Sequence, residues 1–317
     1  MRTSVVPTIA AVATAAVLSV TAACGSTTTG PANATGTAGT GAKVRVVAST
    51  NVWGDIAGMV GGDRVDVTSI ISNPDADPHS YEANAGTAQK LAKTAVVIEN
   101  GGGYDDFMQR MLSASKNDTA VVLDAVRISG KQPVAGGDLN GSGDLNEHVW
   151  YDFPTVAKVV DQLAAAFSRA EPAGTAEFAA NAAGFKTQLT GLGRSEASIA
   201  KSQAGKGVAI TEPVPLYMLE ACKLVNRTPA QFSEAVEDGS DVSARVLAQT
   251  LGLFTSKKVD ALVYNAQTSG PETSKVLTAA KAAGIPTVPV TETLPTGLTY
   301  LSWMTANLAA IRQALAA

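Results

Sequence analysis

The chain has 317 residues, of which 45% are hydrophobic, and 24 Lys and Arg against 28 Asp and Glu give it a formal net charge of −4. A chain of this length can bury a sizeable core and is near the size at which chains divide into two domains. The acidic balance leaves no broad basic surface, so we do not expect nucleic acid as a partner.

The first segment has the layout of a secretory signal peptide. Arg2 precedes an apolar run over residues 9–20, and small residues follow up to Cys24. A basic start, an apolar core and a small-residue cleavage site are typical of exported chains. Two alanines directly before Cys24 resemble a bacterial lipobox, although Thr21 stands where Leu, Val or Ile is usual. We predict a signal peptide over residues 1–23, lipid on Cys24 and an extracytoplasmic, membrane-anchored location.

An uncleaved membrane helix is the alternative for this segment, but its apolar run is shorter than the about 20 residues that a span requires. Residues 24–42 then contain Gly, Ser, Thr, Ala, Asn and Pro without any charge. Such a composition predicts a flexible tether. With Cys24 assigned to lipid, Cys222 is left without a cysteine partner, and we interpret it as a buried small hydrophobe.

The next part of the chain alternates between strand and helix patterns. The predicted strands are "KVRVVAST", "RVDVTSII", "AVVIENGGG" and "AVVLDAV", and the predicted helices are "VWGDIAGMVGG", "TAQKLAKTA" and "YDDFMQRMLSAS". This rhythm indicates a parallel sheet covered by helices. Strands that are apolar at nearly every position fit a sheet buried on both faces.

A polar, Gly-rich loop over residues 129–147 separates this part from a long helical region. Alternation resumes after residue 206 with "GVAITEP", "LYMLEACKL", "VSARVLAQTLGLFTSKK", "VDALVYN", "ETSKVLTAAKAAG", "IPTVPVTE" and a closing helix. We therefore predict an α/β fold of two lobes, each with a parallel sheet flanked by helices, joined by one long helix. The predicted boundaries are residues 43–170 for the first lobe, 171–206 for the connecting helix and 207–317 for the second lobe.

Four side chains are candidates for a common site. The only two histidines, His79 and His148, lie in predicted loops, while Glu212 and Glu292 directly follow two predicted strands. Loops at the carboxyl ends of strands are where open α/β sheets bind ligands. Two imidazoles and two carboxylates suit a divalent transition metal, and their charges would neutralise it. Because a metal-bound histidine needs a partner for its second nitrogen, we expect nearby acidic side chains to serve, namely Asp75, Asp77, Glu82, Glu147 and Asp152.

The residues alone leave other interpretations open. A histidine in a surface loop is most often a solvated polar residue, and a glutamate at the end of a strand most often faces solvent. The spacing of the four candidates matches no short metal-binding motif.

Four long segments resemble the metal-binding lipoproteins of ABC importers for zinc and manganese, the cluster A-I solute-binding proteins. "NPDADPHSYEANAGTAQKLAKTAVVIENGGGYDDF" resembles the segment of that family with the first histidine, here His79. "NEHVWYDFPTVAKVV" resembles the second, with His148, Trp150, Asp152 and Pro154 in place and Glu147 where proline is usual.

"ITEPVPLYMLEACKL" resembles the third segment, in which manganese members tend to have Glu and zinc members His; this chain has Glu212. "IPTVPVTETLPTGLTYLSWMTANLAAI" resembles the last segment, with Glu292 in place of the usual Asp. The resemblance covers residues 44–317. It implies two lobes joined by one long rigid helix, with metal bound between them by His79, His148, Glu212 and Glu292. Because a single helix joins the lobes, it also implies small lobe movements. Asn265, after a predicted strand, is expected to support these ligands.

The resemblance further implies a monomeric binding protein, not an enzyme, that carries Zn²⁺ or Mn²⁺ as cargo to the membrane permease of an ABC importer. The absence of histidine from the loop before His148, together with Glu212, favours manganese, whereas zinc generally binds such donors more tightly. The alternatives are a binding protein for an organic solute or siderophore, a metallohydrolase and a surface adhesin. A hydrolase would require an open coordination position and a base, and nothing here resembles His-Glu-x-x-His.

Overall fold

The structure is a computed structural model that describes residues 42–73, 81–82, 84–132 and 145–316. The predicted signal peptide, most of the predicted tether with Cys24, and His79 lie outside the described residues. Within those ranges, no helix combines the length and the apolar character that crossing a membrane requires.

Two parallel four-stranded sheets form the frame of the molecule. The first sheet has the strand order β2-β1-β3-β4 and consists of β1 (Val44–Thr50), β2 (Val65–Ile71), β3 (Val96–Glu99) and β4 (Val121–Asp124). The second has the order β6-β5-β7-β8 and consists of β5 (Gly207–Ile210), β6 (Val225–Asn226), β7 (Ala261–Asn265) and β8 (Thr287–Val290). Both sheets follow the same order, in which the first strand pairs with the second and the third.

Helices cover both sheets. In the first half these are α1 (Asn51–Gly61), α2 (Ala85–Leu91), α3 (Phe107–Ser115), α4 (Ala125–Ser129) and α5 (Phe153–Ala170). The connecting helix is α6 (Thr175–Gln203), and the second half has α7 (Leu216–Ala221), α8 (Ala230–Glu237), α9 (Ala244–Thr255), α10 (Pro271–Ala282) and α11 (Tyr300–Ala316). The predicted fold class is confirmed. Sequence reasoning missed α4, the two-residue strand β6 and α8, which are short elements with little periodic signal.

The connecting helix α6 has 29 residues and packs against α1 and α5 of the first half and against α7 and α11 of the second. Gly191 and Gly193 lie inside it without interrupting it, because packing on both sides outweighs their low helix propensity. Cys222 is buried, as expected, and burial followed by the charge of Glu196 raises the pKa of its thiol to about 12.

The apolar core is continuous across the two halves. One cluster of buried side chains contains residues of β1, β3, α5 and α6 together with residues of β5, β7 and α11. Hydrogen bonds add to it: the side chain of Asn51 exchanges two with the backbone of Leu294 (2.8 and 2.9 Å), and the Tyr300 hydroxyl donates to the Trp150 carbonyl (2.6 Å). The halves are therefore joined by far more than one helix.

Candidate metal centre

Two of the predicted ligands lie side by side at the carboxyl edge of the second sheet. Glu212 follows β5 and Glu292 follows β8, and only 2% and 5% of these residues are exposed. Asn265, the last residue of β7, lies between them. Its Nδ2 donates to Glu212 Oε2 at 2.6 Å and to Glu292 Oε1 at 2.7 Å. The parallel arrangement of β5, β7 and β8 brings these three side chains to one edge.

Asn265 is itself held firmly in place. Its backbone N–H donates to Thr211 Oγ1 (2.9 Å), and its Oδ1 accepts a hydrogen bond from the backbone N–H of Gln267 (3.0 Å). The Gln267 side chain in turn accepts from the backbone N–H groups of Glu292 and Thr293. The position of Asn265 and the backbone after β8 are therefore set by one continuous network.

His148 reaches the site from the first half. It directly precedes a short 3₁₀ helix (Val149–Tyr151) that leads into α5, and it is fully buried. Its ring packs edge-on against Trp150, with 5.0 Å between the ring centroids. Its Nδ1 lies 2.8 Å from Oδ1 of Asn146. We expected an acidic partner at this nitrogen, and that expectation was wrong: the partner is a neighbouring amide.

A glycine turn after β3 supports the segment that carries His148. Gly101, Gly102 and Gly103 all have positive φ angles, of 77°, 70° and 94°. This turn lets the Asp105 carboxylate accept from the backbone N–H groups of Asn100 (2.6 Å) and Gly101 (2.9 Å). The Asn100 side chain then donates to the Glu147 carbonyl at 2.9 Å, which fixes the backbone next to His148.

Glu237, at the end of α8, is a site residue that sequence reasoning missed. Its Oε1 lies 3.4 Å from Nε2 of His148, and ligand atoms of Glu147, His148 and Glu237 all lie within 4.8 Å of one another. Burial raises the pKa of Glu237 well above its ordinary value, and the charges of Glu147, Glu212 and Glu292 raise it further. Of these three carboxylates, that of Glu147 lies within 4.8 Å of the Glu237 carboxylate.

Tyr104 is a second residue that was missed. It is buried in the first half, and its ring centroid lies 5.9 Å from that of His148. Burial raises the pKa of its hydroxyl well above the ordinary value, and the charge of Glu292 contributes next. Tyr104 therefore lies beside the histidine that reaches the site from the first half.

The two halves also contact each other beside the site. Asn146 Nδ2 donates to the Pro213 carbonyl at 3.2 Å, and the Tyr217 hydroxyl donates to the Asn146 carbonyl at 2.7 Å. His148 is thereby positioned by residues next to Glu212, even though the two ligand candidates come from different halves.

This arrangement has the chemistry of a cation site. Buried carboxylates repel one another and are costly to desolvate, and a positive ion between them relieves both costs. Imidazole and carboxylate together suit first-row transition metals such as Zn²⁺ and Mn²⁺. His148, Glu147, Glu212, Glu237 and Glu292 could supply donors from the described part of the chain.

A sequence signal for Glu237 existed but was weak. Phe232 and Val236 lie four residues apart after Pro229, which is helical spacing behind a helix-starting residue. A helix ending at Glu237 was therefore detectable, but its approach to His148 was not. Asn146 and Tyr104 carried no comparable signal.

Comparisons with known proteins agree with this architecture. The manganese-binding lipoprotein MntA of Bacillus subtilis is 27% identical over 249 residues, which are 76% of this chain and 77% of that protein. The manganese ABC transporter substrate-binding lipoprotein scaA of Streptococcus gordonii is 22% identical over 293 residues, 86% of this chain and 89% of that protein.

Among solved structures, the periplasmic zinc binding protein TroA from Treponema pallidum superposes with a TM-score of 0.72 at 18% identity, over 86% of this chain and 99% of that one. The protein FpvC from Pseudomonas aeruginosa in complex with Mn²⁺ gives 0.69 at 18% identity, over 86% and 98%. These structures share the fold. The family model ZnuA, described as zinc-uptake complex component A, periplasmic, matches residues 46–314, and the chain therefore belongs to that family of metal-binding, substrate-binding proteins.

Proposed function

We propose that this protein is the extracytoplasmic, lipid-anchored binding component of an ABC importer. It captures one divalent transition metal, Zn²⁺ or Mn²⁺, and delivers it to a membrane permease. His79, His148, Glu212 and Glu292 bind the ion, and Asn265 orients the two glutamates. The chain performs no covalent chemistry on its cargo and acts as a monomer.

The observation that carries this proposal is the pair of buried glutamates sharing one amide nitrogen. Asn265 holds Glu212 and Glu292 at 2.6 and 2.7 Å, so two like charges lie together away from water. Two carboxylates held this close repel each other, and a divalent ion bound between them relieves that repulsion. The relatives named as manganese-binding lipoproteins and the family described by zinc uptake support these two ions as the cargo.

The test is calorimetric titration of the purified, metal-stripped protein with Zn²⁺ and Mn²⁺ separately. We expect one ion per chain, and loss of binding in His148→Ala and in His79→Ala. Absence of binding of either ion to the unsubstituted protein would overturn the proposal and favour an organic solute as cargo.

The membrane anchor is tested through the two cysteines. If lipid on Cys24 anchors the protein, Cys24→Ala expressed in a bacterial host should move from the membrane fraction to the soluble fraction. The matched control is Cys222→Ala, which alters the buried cysteine and should remain with the membrane. Membrane retention of Cys24→Ala would argue against lipid anchoring but would leave metal capture untouched.

A further inference from the structure

Glu237 faces the nitrogen of His148 that would bind the metal. The distance from Glu237 Oε1 to His148 Nε2 is 3.4 Å, and the exposed fractions of the two side chains are 13% and 0%. Glu237 comes from α8, an element that contributes none of the four ligands proposed above. The contact therefore brings an additional carboxylate to Nε2 of His148.

The hydrogen bonds around His148 determine which ring nitrogen carries the proton. Asn146 Nδ2 donates to the Pro213 carbonyl, which orients the amide so that its Oδ1 faces His148. Because Oδ1 can only accept, Nδ1 of His148 is the protonated nitrogen of the neutral ring. Its Nε2 then presents a lone pair toward the oxygen of Glu237.

The separation of these two atoms matches donors bound to one ion. Nitrogen and oxygen ligands lie about 2.0–2.2 Å from a first-row divalent metal. Two such ligands at an angle of roughly 90–110° are roughly 2.8–3.6 Å apart. The 3.4 Å between Nε2 and Oε1 falls in that interval, so one ion can bind both atoms with little movement of either side chain.

We propose that Glu237 is a metal ligand that binds the same ion as His148 and adds its carboxylate to those of Glu212 and Glu292. This inference rests on the proposed function and extends it to the choice of metal. A further carboxylate oxygen makes the donor set richer in oxygen and raises the coordination number above four. Both changes favour Mn²⁺, whereas Zn²⁺ is satisfied by four ligands.

The first test compares the affinities of the purified protein for Mn²⁺ and Zn²⁺ in Glu237→Gln and Asp238→Asn. Glu237→Gln keeps the shape of the side chain and removes its charge. Asp238→Asn removes the same charge one residue away on an exposed side chain, so it controls for a purely long-range electrostatic effect. We expect Glu237→Gln to weaken Mn²⁺ binding by about tenfold or more, to weaken Zn²⁺ binding less, and Asp238→Asn to change neither by more than about twofold.

Two results would overturn the inference while leaving the proposed function intact. In the first, Glu237→Gln binds both ions with the affinities of the unsubstituted protein, while His148→Ala binds neither ion. The other is an equal loss of affinity in Glu237→Gln and Asp238→Asn. If the unsubstituted protein bound neither ion, the proposed function itself would fail.

A crystal structure of the Mn²⁺-loaded protein provides a second test that does not depend on any variant. We expect a carboxylate oxygen of Glu237 within about 2.3 Å of the ion, which is bonding distance for such a donor. A bound ion with both oxygens of Glu237 more than about 3 Å away would refute the assignment.

Discussion

Asn265 shows at the scale of one residue how a neutral side chain can organise a charged site. Its single Nδ2 donates to both Glu212 and Glu292, and its own backbone is held by Thr211. The amide therefore sets the positions of two carboxylates and reduces the free-energy cost of holding them together without an ion.

Removing this amide should weaken metal binding. We expect Asn265→Ala to lower the affinity for the preferred ion by about 10–100-fold, because residues that orient ligands typically contribute that much. The matched control is Asn117→Ala, whose Nδ2 donates to the Leu91 and Thr94 carbonyls in the first half at 2.8 Å each. Asn117→Ala should lower the stability of the protein without changing its affinity for metal. An unchanged affinity in Asn265→Ala would contradict the role given to Asn265.

Glu196 is a buried carboxyl group of the connecting helix, with only 7% of the residue exposed. Burial, followed by the charge of Asp152, raises its pKa from 4.5 to about 8. The folded state therefore keeps this proton to a higher pH than the unfolded state does. It follows that folding stability is lost as pH rises from about 4.5 to about 8, the interval between the two pKa values.

Glu196→Gln should remove this dependence, because glutamine mimics the protonated acid at every pH. We expect the variant to be more stable than the unsubstituted protein by at least about 1 kcal/mol at pH 8.5, and the difference to shrink toward pH 5. Urea unfolding at the two pH values measures it. The control is Glu272→Gln, on the surface of α10, which should leave the pH profile unchanged; parallel profiles for Glu196→Gln and the unsubstituted protein would refute the argument.

At the scale of elements, the glycine turn after β3 links the first sheet to the histidine segment. A Cβ atom on Gly101 would lie 2.4 Å from Oδ1 of Asp124, and the residue has a φ of 77°. Asp124 cannot easily move away, because its side chain caps α4 by accepting from the backbone N–H of Arg127 at 2.8 Å. Both the backbone conformation and the available space therefore require glycine.

Gly101→Ala should thus destabilise the protein in two ways. We expect the free energy of unfolding to fall by about 2–3 kcal/mol. About 1 kcal/mol of this comes from strain in the left-handed backbone conformation, and the rest comes from displacement of the Asp124 cap. Gly130→Ala is the matched control, since Gly130 has a φ of 73° but no atom of the described residues within 4 Å of the added Cβ. This variant should lose only the free energy of the left-handed strain. Equal losses in thermal unfolding of the two variants would show that the contact with Asp124 is unimportant.

At the scale of the whole molecule, the continuous core predicts how the two halves behave together. Because buried side chains of both sheets and of α6 belong to one cluster, we expect a single thermal unfolding transition rather than one for each half. Metal at 100 times its dissociation constant should stabilise the folded state by about 2.7 kcal/mol and raise the melting temperature. Calorimetry checks both; two separate transitions would contradict the unity of the core.

Local patterns in the sequence determined much of this protein. Alternation of apolar strands with helical spacing predicted the two-lobed α/β fold and the connecting helix, because the periodicities of strands and helices depend only on neighbouring residues. Positions at the ends of strands marked Glu212, Asn265 and Glu292 in the same way. The structure places those three side chains in direct contact. The ligand roles of His79, His148, Glu212 and Glu292 and the boundaries of the segments stay predictions.

Only the tertiary structure decided which distant side chains meet. Glu237 and Tyr104 come from separate elements, and both approach the ring of His148. The amide of Asn146 lies at the other ring nitrogen. Patterns among neighbouring residues in the sequence do not predict contacts between separate elements. The sequence likewise did not predict that the two sheets share one strand order. The pairing of strands depends on how helices pack across the sheets, and very different side chains can fill the same layers.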